Sequence, residues 1–369
     1  MRIVITGADG FIGKNLLVRL RELGHIDIGC ITRATGSAEF AGLLSAADFV
    51  FHLAGVNRPK DDSEFARGNA QFTEELSCAL RAGGRSVPVV FASSTQAVLD
   101  NPYGQSKRAA EEALLRYGCE SQAPVYLFRL ANVFGKWCRP NYNSAVATFC
   151  HNIVRGMPIS INDPAAPLKL VYIDDVVRAF TRLLETSDDS GFVEAGPMYD
   201  TTVGDVATAL QGFAESRSTL MTDRVGTGFT RALYSTYISY LPPGSFAYQV
   251  SRHADPRGMF VEMLKTPDCG QVSYFTAHPG VTRGDHYHHS KVERFLVIKG
   301  TAHFGFRHIT TGETHEIVAR GGEGAIVETV PGWAHNVANI GDDELIVMLW
   351  ANEVFDRELP DTIAMKVKA

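Results

Sequence analysis

The secondary-structure period of this chain changes once, near residue 245, and that change limits what it can fold into. Up to about residue 215, short β-branched and aromatic runs alternate with amphipathic stretches. The spacing predicts strands over residues 3–6, 27–32, 49–53 and 89–93, and helices over 12–23, 69–81 and 102–117. Strands and helices in alternation imply a parallel sheet covered on both faces. Beyond residue 245 the helical period is lost. Short strands, as at 295–298 and 345–350, are separated by Gly, Pro and Asp, the pattern of an all-β barrel or sandwich. Histidine follows the same divide: only His25, His52 and His151 precede residue 243. The Tyr- and Ser-rich stretch 234–243 ends in Pro-Pro-Gly and marks the expected boundary, giving domains 1–243 and 244–369. No internal repeat is visible.

Composition removes several classes of function. A 45% hydrophobic and 21% charged chain is ordinary globular material. A net charge of −6 with no basic block offers no nucleic-acid surface and no anionic-membrane surface. No apolar stretch is long enough to span a bilayer. Met1–Gly7 is no signal peptide, because its apolar run ends at once in Gly7, Asp9 and Gly10. Six well-separated cysteines (30, 78, 119, 138, 150, 269) without a C-x-x-C pair read as free thiols in a reducing cytoplasm.

Gly7-Ala8-Asp9-Gly10-Phe11-Ile12-Gly13 follows a predicted strand and opens a predicted helix. Glycines in that position let backbone N–H groups approach a pyrophosphate at the helix N-terminus. The expected fold is therefore α/β: a Rossmann-type doubly wound parallel sheet followed by an all-β barrel. The second strand ends Thr32-Arg33 with no acid to bind a ribose 2′-OH. Arg33 is either a partner for a 2′-phosphate, which favours NADPH, or a solvated loop residue.

Ser93-Ser94 at a strand end is followed by Tyr103-Gly104-Gln105-Ser106-Lys107. Asn101 is a good N-cap and Pro102 suits the first helical position, so Tyr103 and Lys107 share one helical face. An ammonium beside a phenol is expected to lower the phenol pKa, fitting it to give a proton to a ketone oxygen that Ser94 also bonds. Together GADGFIG (7–13), HLAG (52–55), Asn69, SS…YGQSK, RLANVFG (129–135) and YIDDV (172–176) resemble the extended short-chain dehydrogenase/reductase family over roughly residues 1–240. The resemblance implies that Gly7, Gly10, Phe11, Ile12 and Gly13 bind the cofactor, that Leu53, Ala54 and Gly55 line it, and that Tyr103 and Lys107 touch it, Lys107 at its ribose. It places Ser94 rather than Ser93 at the catalytic position. It also implies a homodimer, formed through the helices at 69–81 and 102–117. Thr95-Gln96 stands where related 4,6-dehydratases carry an acid/base pair, which argues against that reaction.

In the last third, Gly280-(x5)-His286-x-His288-(x4)-Glu293-(x6)-Gly300 precedes Pro331-Gly332-x2-His335-(x3)-Asn339. His286 and His288 alternate along a strand and face one side. With Glu293 and His335 they make three imidazoles and a carboxylate, a set for a divalent metal, zinc first, or manganese, iron or nickel. The spacing resembles the two motifs of the cupin family, over roughly residues 250–355. Cupins include deoxysugar-nucleotide 3,5-epimerases. Here the apparent ligands occupy the place of their base histidine, so the epimerase base is not carried over. The metal either polarises a keto oxygen or braces the barrel.

The two halves share a chemical requirement. A 4-ketone makes the C3 hydrogen of a sugar acidic, and reduction at C4 then locks the configuration. The order of the halves resembles the bacterial capsule enzymes that join a UDP-sugar 3-epimerase and a 4-reductase in one chain, in the UDP-N-acetyl-L-fucosamine pathway. The matching segments are HLAGVNRP (52–59), DNPYGQSK (100–107), FGKWCRPNYNS (134–144), LYSTYISYLP (233–242) and GDHYHHSKVERFLVIKG (284–300). That likeness implies a 4-keto UDP-2-acetamido-2,6-dideoxyhexose substrate, NADPH, a UDP-2-acetamido-2,6-dideoxy-L-talose product, and Asn132, Arg139 and Tyr142 near the sugar nucleotide. Two other readings stay open: a single-activity 4-ketosugar reductase with a non-catalytic cupin, and an NADP-sensing regulator, against which the intact Ser94, Tyr103 and Lys107 speak.

Overall fold

The computed structural model describes residues 1–186, 190–255, 258–261, 264, 270–353 and 358–368. Cys269, read above as a free thiol, lies outside them; Cys30, Cys78, Cys119, Cys138 and Cys150 are not in disulfides. Among the described residues no helix is long and apolar enough to cross a membrane.

The first strands are β1 Ile3–Thr6, β2 Ile28–Ile31, β3 Phe49–His52, β4 Val89–Ser94, β5 Val125–Leu130, β6 Asn132–Phe134, β7 Pro167–Tyr172, β8 Gly191–Phe192 and β9 Met198–Thr202. One six-stranded sheet has the order β2-β1-β3-β4-β5-β8, every pair parallel. Ile3, Val4, Ile5, Val50, Phe51, Val89 and Val90 have no exposed surface. Such unbroken apolar runs suit strands covered on both faces, where parallel pairing is stable. From β1 the chain goes outward to β2, then returns past β1 to β3. The order reverses between β1 and β3, and a crevice at the carboxyl ends of those strands is where open α/β sheets bind ligands.

The remaining strands are β10 Ala247–Gln249, β11 Arg252–Asp255, β12 Gly258–Val261, β13 Gln271–Ala277, β14 Thr282–Tyr287, β15 Glu293–Lys299, β16 Thr301–His308, β17 Thr314–Arg320, β18 Ala325–Glu328, β19 Trp333–Asn339, β20 Leu345–Ala351 and β21 Ile363–Ala364. They form two five-stranded sheets, β10-β18-β15-β20-β13 and β17-β16-β19-β14-β21, whose registered pairs are antiparallel, and the hairpin β11-β12. The fold is thus the expected α/β Rossmann-type sheet followed by an all-β half.

The compact units do not divide at residue 243. One holds residues 1–134, 141–144 and 168–200; the other holds 135–140, 145–167 and 201–369. The stretch read as the boundary, 234–243, is mostly the end of a helix, Gly228–Ser239, in which Tyr234 and Tyr237 are buried. Two of its hydroxyls bond across to residues of the all-β half. Ser235 Oγ donates to the Ser290 carbonyl at 2.6 Å, and the Tyr234 hydroxyl accepts from Arg294 at 2.9 Å.

Arg294 is the centre of a buried charge network in this second unit. It donates to Glu328 at 2.7 Å and to Thr222 at 3.1 Å, and Arg217 donates to the other Glu328 oxygen at 2.8 Å. Arg294 and Glu328 are both fully buried. Removing one partner of such a pair strands a charge, whereas replacing both with apolar groups does not. We expect Glu328→Leu to cost about 3–5 kcal/mol. The double replacement Arg294→Met, Glu328→Leu should cost less than either single change. Guanidinium unfolding of the four chains of this cycle is the check.

Candidate active site and candidate metal centre

The glycine turn lies at the carboxyl end of β1. Gly7 has φ +69°, and a Cβ there would meet the Ala54 backbone nitrogen at 2.8 Å; a Cβ on Gly13 would stand 2.2 Å from the Gly7 carbonyl oxygen. The helix that follows, Phe11–Glu22, has Gly10 as N-cap, with no side-chain cap and no acid in its first turn. Its N-terminal N–H groups and positive dipole end are left for an external anion, which suits a dinucleotide pyrophosphate. Phe11 and Ile12 are half-buried in the first turn. Arg33 is exposed in the Thr32–Gly36 turn after β2, a turn held by Thr35 Oγ1 on the Thr32 N–H.

Thr6 ties the ends of β1 and β3 together. Its hydroxyl accepts from the Leu53 and Ala54 N–H groups, both at 3.1 Å, and contacts His52 Nδ1 at 2.7 Å. The far side of the His52 ring meets Thr73 Oγ1 at 2.8 Å. Burial, helped by the Lys107 charge, pushes His52 down to about 3, so the ring is a neutral strut. Asn69 fixes the loop beyond: Oδ1 accepts from Val56 N at 2.8 Å, and Nδ2 donates to the Val56 carbonyl and to Ser106 Oγ. The sequence marked Asn69 only as a helix start, yet it lies within a π-helical turn, Ala66–Gln71, ahead of the helix Phe72–Ala82. Gly55 is pressed against these groups, since a Cβ there would meet Asn69 Oδ1 at 2.9 Å and Lys107 Nζ at 3.2 Å.

Tyr103 and Lys107 stand on the helix Pro102–Ser121, which Asn101 caps by accepting from Gly104 N. Lys107 is buried, and its ammonium donates to the Ala92 carbonyl at 2.8 Å. Burial lowers it to about 8, against the pull of Glu111. Ser93 and Ser94 part ways at the end of β4. Ser93 Oγ donates to Glu111, which also takes both arms of Arg129. The Ser94 hydroxyl instead interacts with Tyr103. The expected lowering of the phenol is not found. Burial raises the Tyr103 pKa, and the opposing influence is Ser94, not Lys107, whose ammonium is committed to Ala92.

Of the substrate candidates, Asn132 and Tyr142 belong to the first compact unit and Arg139 to the second. Tyr142 donates to Asn57 Oδ1 at 2.9 Å, and Asn132 Nδ2 reaches the Lys169 carbonyl at 3.3 Å.

The second unit brings His286, His288, Glu293 and His335 together, with one donor atom from each all within 4.8 Å of one another. A bulge makes this possible. Asp285, at φ +59°, is skipped in the β14–β19 register, so that His286 pairs directly with His335. His288 Nε2 and His335 Nε2 approach the same Glu293 oxygen at 3.3 and 3.4 Å. His288 Nδ1 meets the Asp361 carbonyl, which can only accept, so Nδ1 carries a proton and the ring is turned with Nε2 toward Glu293. Burial and the neighbouring His335 and His288 push His286 down to about 4. Burial acts to raise Glu293, but the charge and hydrogen bond of His288 and the bond from His335 hold it well below the carboxylate range. Three imidazoles converge on one buried carboxylate. The donor set fits zinc or a similar divalent ion.

The chain belongs to the NAD dependent epimerase/dehydratase family, whose profile matches residues 3–196. A polysaccharide biosynthesis C-terminal domain profile matches residues 253–363. A Pseudomonas aeruginosa protein named UDP-2-acetamido-2,6-beta-L-arabino-hexul-4-ose reductase is 56% identical over 368 residues, covering 100% of this chain and 99% of that one. The capsular polysaccharide assembling protein CapF of Staphylococcus aureus is similar in structure, with a TM-score of 0.69, 40% identity and full coverage of both chains. A UDP-glucose 4-epimerase of Mycolicibacterium smegmatis is 29% identical, over 58% of this chain and 82% of that one.

Gly13→Ala should abolish dinucleotide binding, because its methyl would displace the Gly7 carbonyl from the turn. NADPH titration by fluorescence is the check, with Gly212→Ala, a site where a Cβ meets nothing, as the control.

Proposed function

We propose that this chain is a bifunctional nucleotide-sugar enzyme of polysaccharide synthesis. Its first half reduces the C4 ketone of a 4-keto UDP-2-acetamido-2,6-dideoxyhexose, and its all-β half, read as a cupin, epimerises C3. The product is UDP-2-acetamido-2,6-dideoxy-L-talose. The full-length likeness to the Pseudomonas reductase supports the reduction, and the His286, His288, Glu293 and His335 cluster is the observation that favours chemistry in the all-β half.

NADPH supplies the hydride when bound. Gly7, Gly10, Phe11, Ile12, Gly13, Leu53, Ala54 and Gly55 hold it, Arg33 takes the 2′-phosphate, and Lys107 takes the ribose. Tyr103, kept protonated by burial, gives a proton to the ketone oxygen, and Ser94 steadies that oxygen with a second hydrogen bond. Asn132, Arg139 and Tyr142 hold the sugar nucleotide. His286, His288, Glu293 and His335 hold the divalent ion, zinc first, whose chemistry is to polarise a keto oxygen. We place the enzyme in the cytoplasm as a homodimer.

A second reading, a reductase whose all-β half only binds sugar, is favoured by the name of the Pseudomonas relative, which mentions reduction alone. Solvent exchange at C3 separates the two. In D₂O without NADPH, the Tyr103→Phe chain should exchange the C3 hydrogen of the 4-keto sugar, followed by NMR. With NADPH its reduction should be slower by roughly two to four orders of magnitude. Reduction at the wild-type rate would remove Tyr103 from the mechanism.

His288→Ala should reduce metal content toward zero by elemental analysis and slow C3 exchange, with C4 reduction retained. Exchange as fast as in the unaltered chain would favour the second reading.

A further inference from the structure

Residues 358–368 lie far along the chain from His286 and His288, yet they are built into the same sheet. Strand β21 pairs with β14, placing Ala364 opposite His286 and Ile363 opposite Tyr287. Met365 N donates to the Asp285 carbonyl at 2.8 Å, and Val367 N donates to Asp285 Oδ1 at 3.2 Å, so the segment holds the bulge that aims His286. Just before β21, the Asp361 carboxylate accepts from three successive backbone N–H groups. His289 N reaches Oδ1 at 2.8 Å, and Ser290 N and Lys291 N both reach Oδ2 at 2.7 Å; Ser290 Oγ adds a fourth bond at 3.1 Å. The carbonyl of the same residue takes the Nδ1 proton of His288. Thr362 Oγ1, next along, accepts from Lys291 Nζ at 2.9 Å.

One residue therefore does two things to one imidazole. Its side chain fixes the turn on which His288 sits, and its carbonyl fixes the ring's tautomer and rotation. From this geometry we infer that Asp361 is a positioning residue of the four-residue centre: it holds His288 with Nε2 turned toward Glu293 and so sets the coordination geometry. The inference rests on reading that centre as a metal site. The carboxylate suits the task because three parallel N–H groups make an anion-binding concavity. An amide would turn donors against donors there. Groups that orient a ligating imidazole from behind typically govern metal affinity by about 10–100-fold.

The test uses the full-length chain loaded with cobalt(II), whose visible bands report coordination geometry, with affinity read by competition against a chromophoric chelator. Asp361→Asn should weaken cobalt binding about 10–100-fold and alter the visible bands while circular dichroism stays unchanged. Ser290→Ala, which removes one of the four bonds to that carboxylate, should move both readouts the same way by less. It keeps the test decisive if Asp361→Asn does not fold. Affinity and bands matching the unaltered chain in folded variants would overturn the positioning role and leave the metal reading standing. An unaltered chain that takes up no cobalt, and behaves identically as His288→Ala, would overturn the metal reading itself, and this inference with it.

Discussion

A sheet strand buried on both faces spends all its side chains on packing, so polar chemistry is confined to the strand ends. That constraint organises the first half of this chain. Ile3, Val4 and Ile5 have no exposed surface, and neither do Val50 and Phe51 beside them. The first groups free to act are those just past β1, β3 and β4: the glycine turn, the Leu53–Gly55 loop and Ser94. Thr6 is the hinge of this arrangement, because a single hydroxyl meets two backbone N–H groups and one imidazole. It holds the ends of β1 and β3 in register where the strand order reverses. The crevice expected of the topology and the loops expected of a dinucleotide site thereby coincide.

The all-β half solves a different problem, how to keep charge inside an antiparallel fold. Arg294 and Arg217 share the Glu328 carboxylate, and Thr222 and Tyr234 take further Arg294 N–H groups. The His and Glu cluster is built differently, with three imidazoles gathered on one carboxylate and His288 held from behind at Nδ1. The first network pairs charged side chains with one another, and the second gathers donor atoms of the kind that can hold a metal ion.

Much of this was legible in the sequence where the signal is local. The strands of the parallel sheet came from short apolar runs, and Asn101-Pro102 placed the start of the Tyr103 helix. Spacing alone collected His286, His288, Glu293 and His335, because alternation along a strand puts residues on one face. What failed depended on distant partners. The Tyr103 pKa was misjudged because burial, which comes from distant packing, raises it and outweighs the Ser94 hydrogen bond. The stretch 234–243 read as a boundary because the Arg294 that bonds Tyr234 lies 60 residues on. Asp361 gave no signal at all, being an ordinary acid in an ordinary tail until the fold sets it under residues 289–291.

The way the chain is shared between its compact units has a consequence for its history. It passes from one unit to the other after residues 134, 140, 144, 167 and 200. Two halves joined by a single tether can be separated, exchanged or reordered by one genetic event. Halves stitched together at several points cannot, because any single cut leaves at least one unit missing segments of its own. A fusion that began as two proteins end to end would here have become irreversible, and the separate genes could not be recovered by dividing this one.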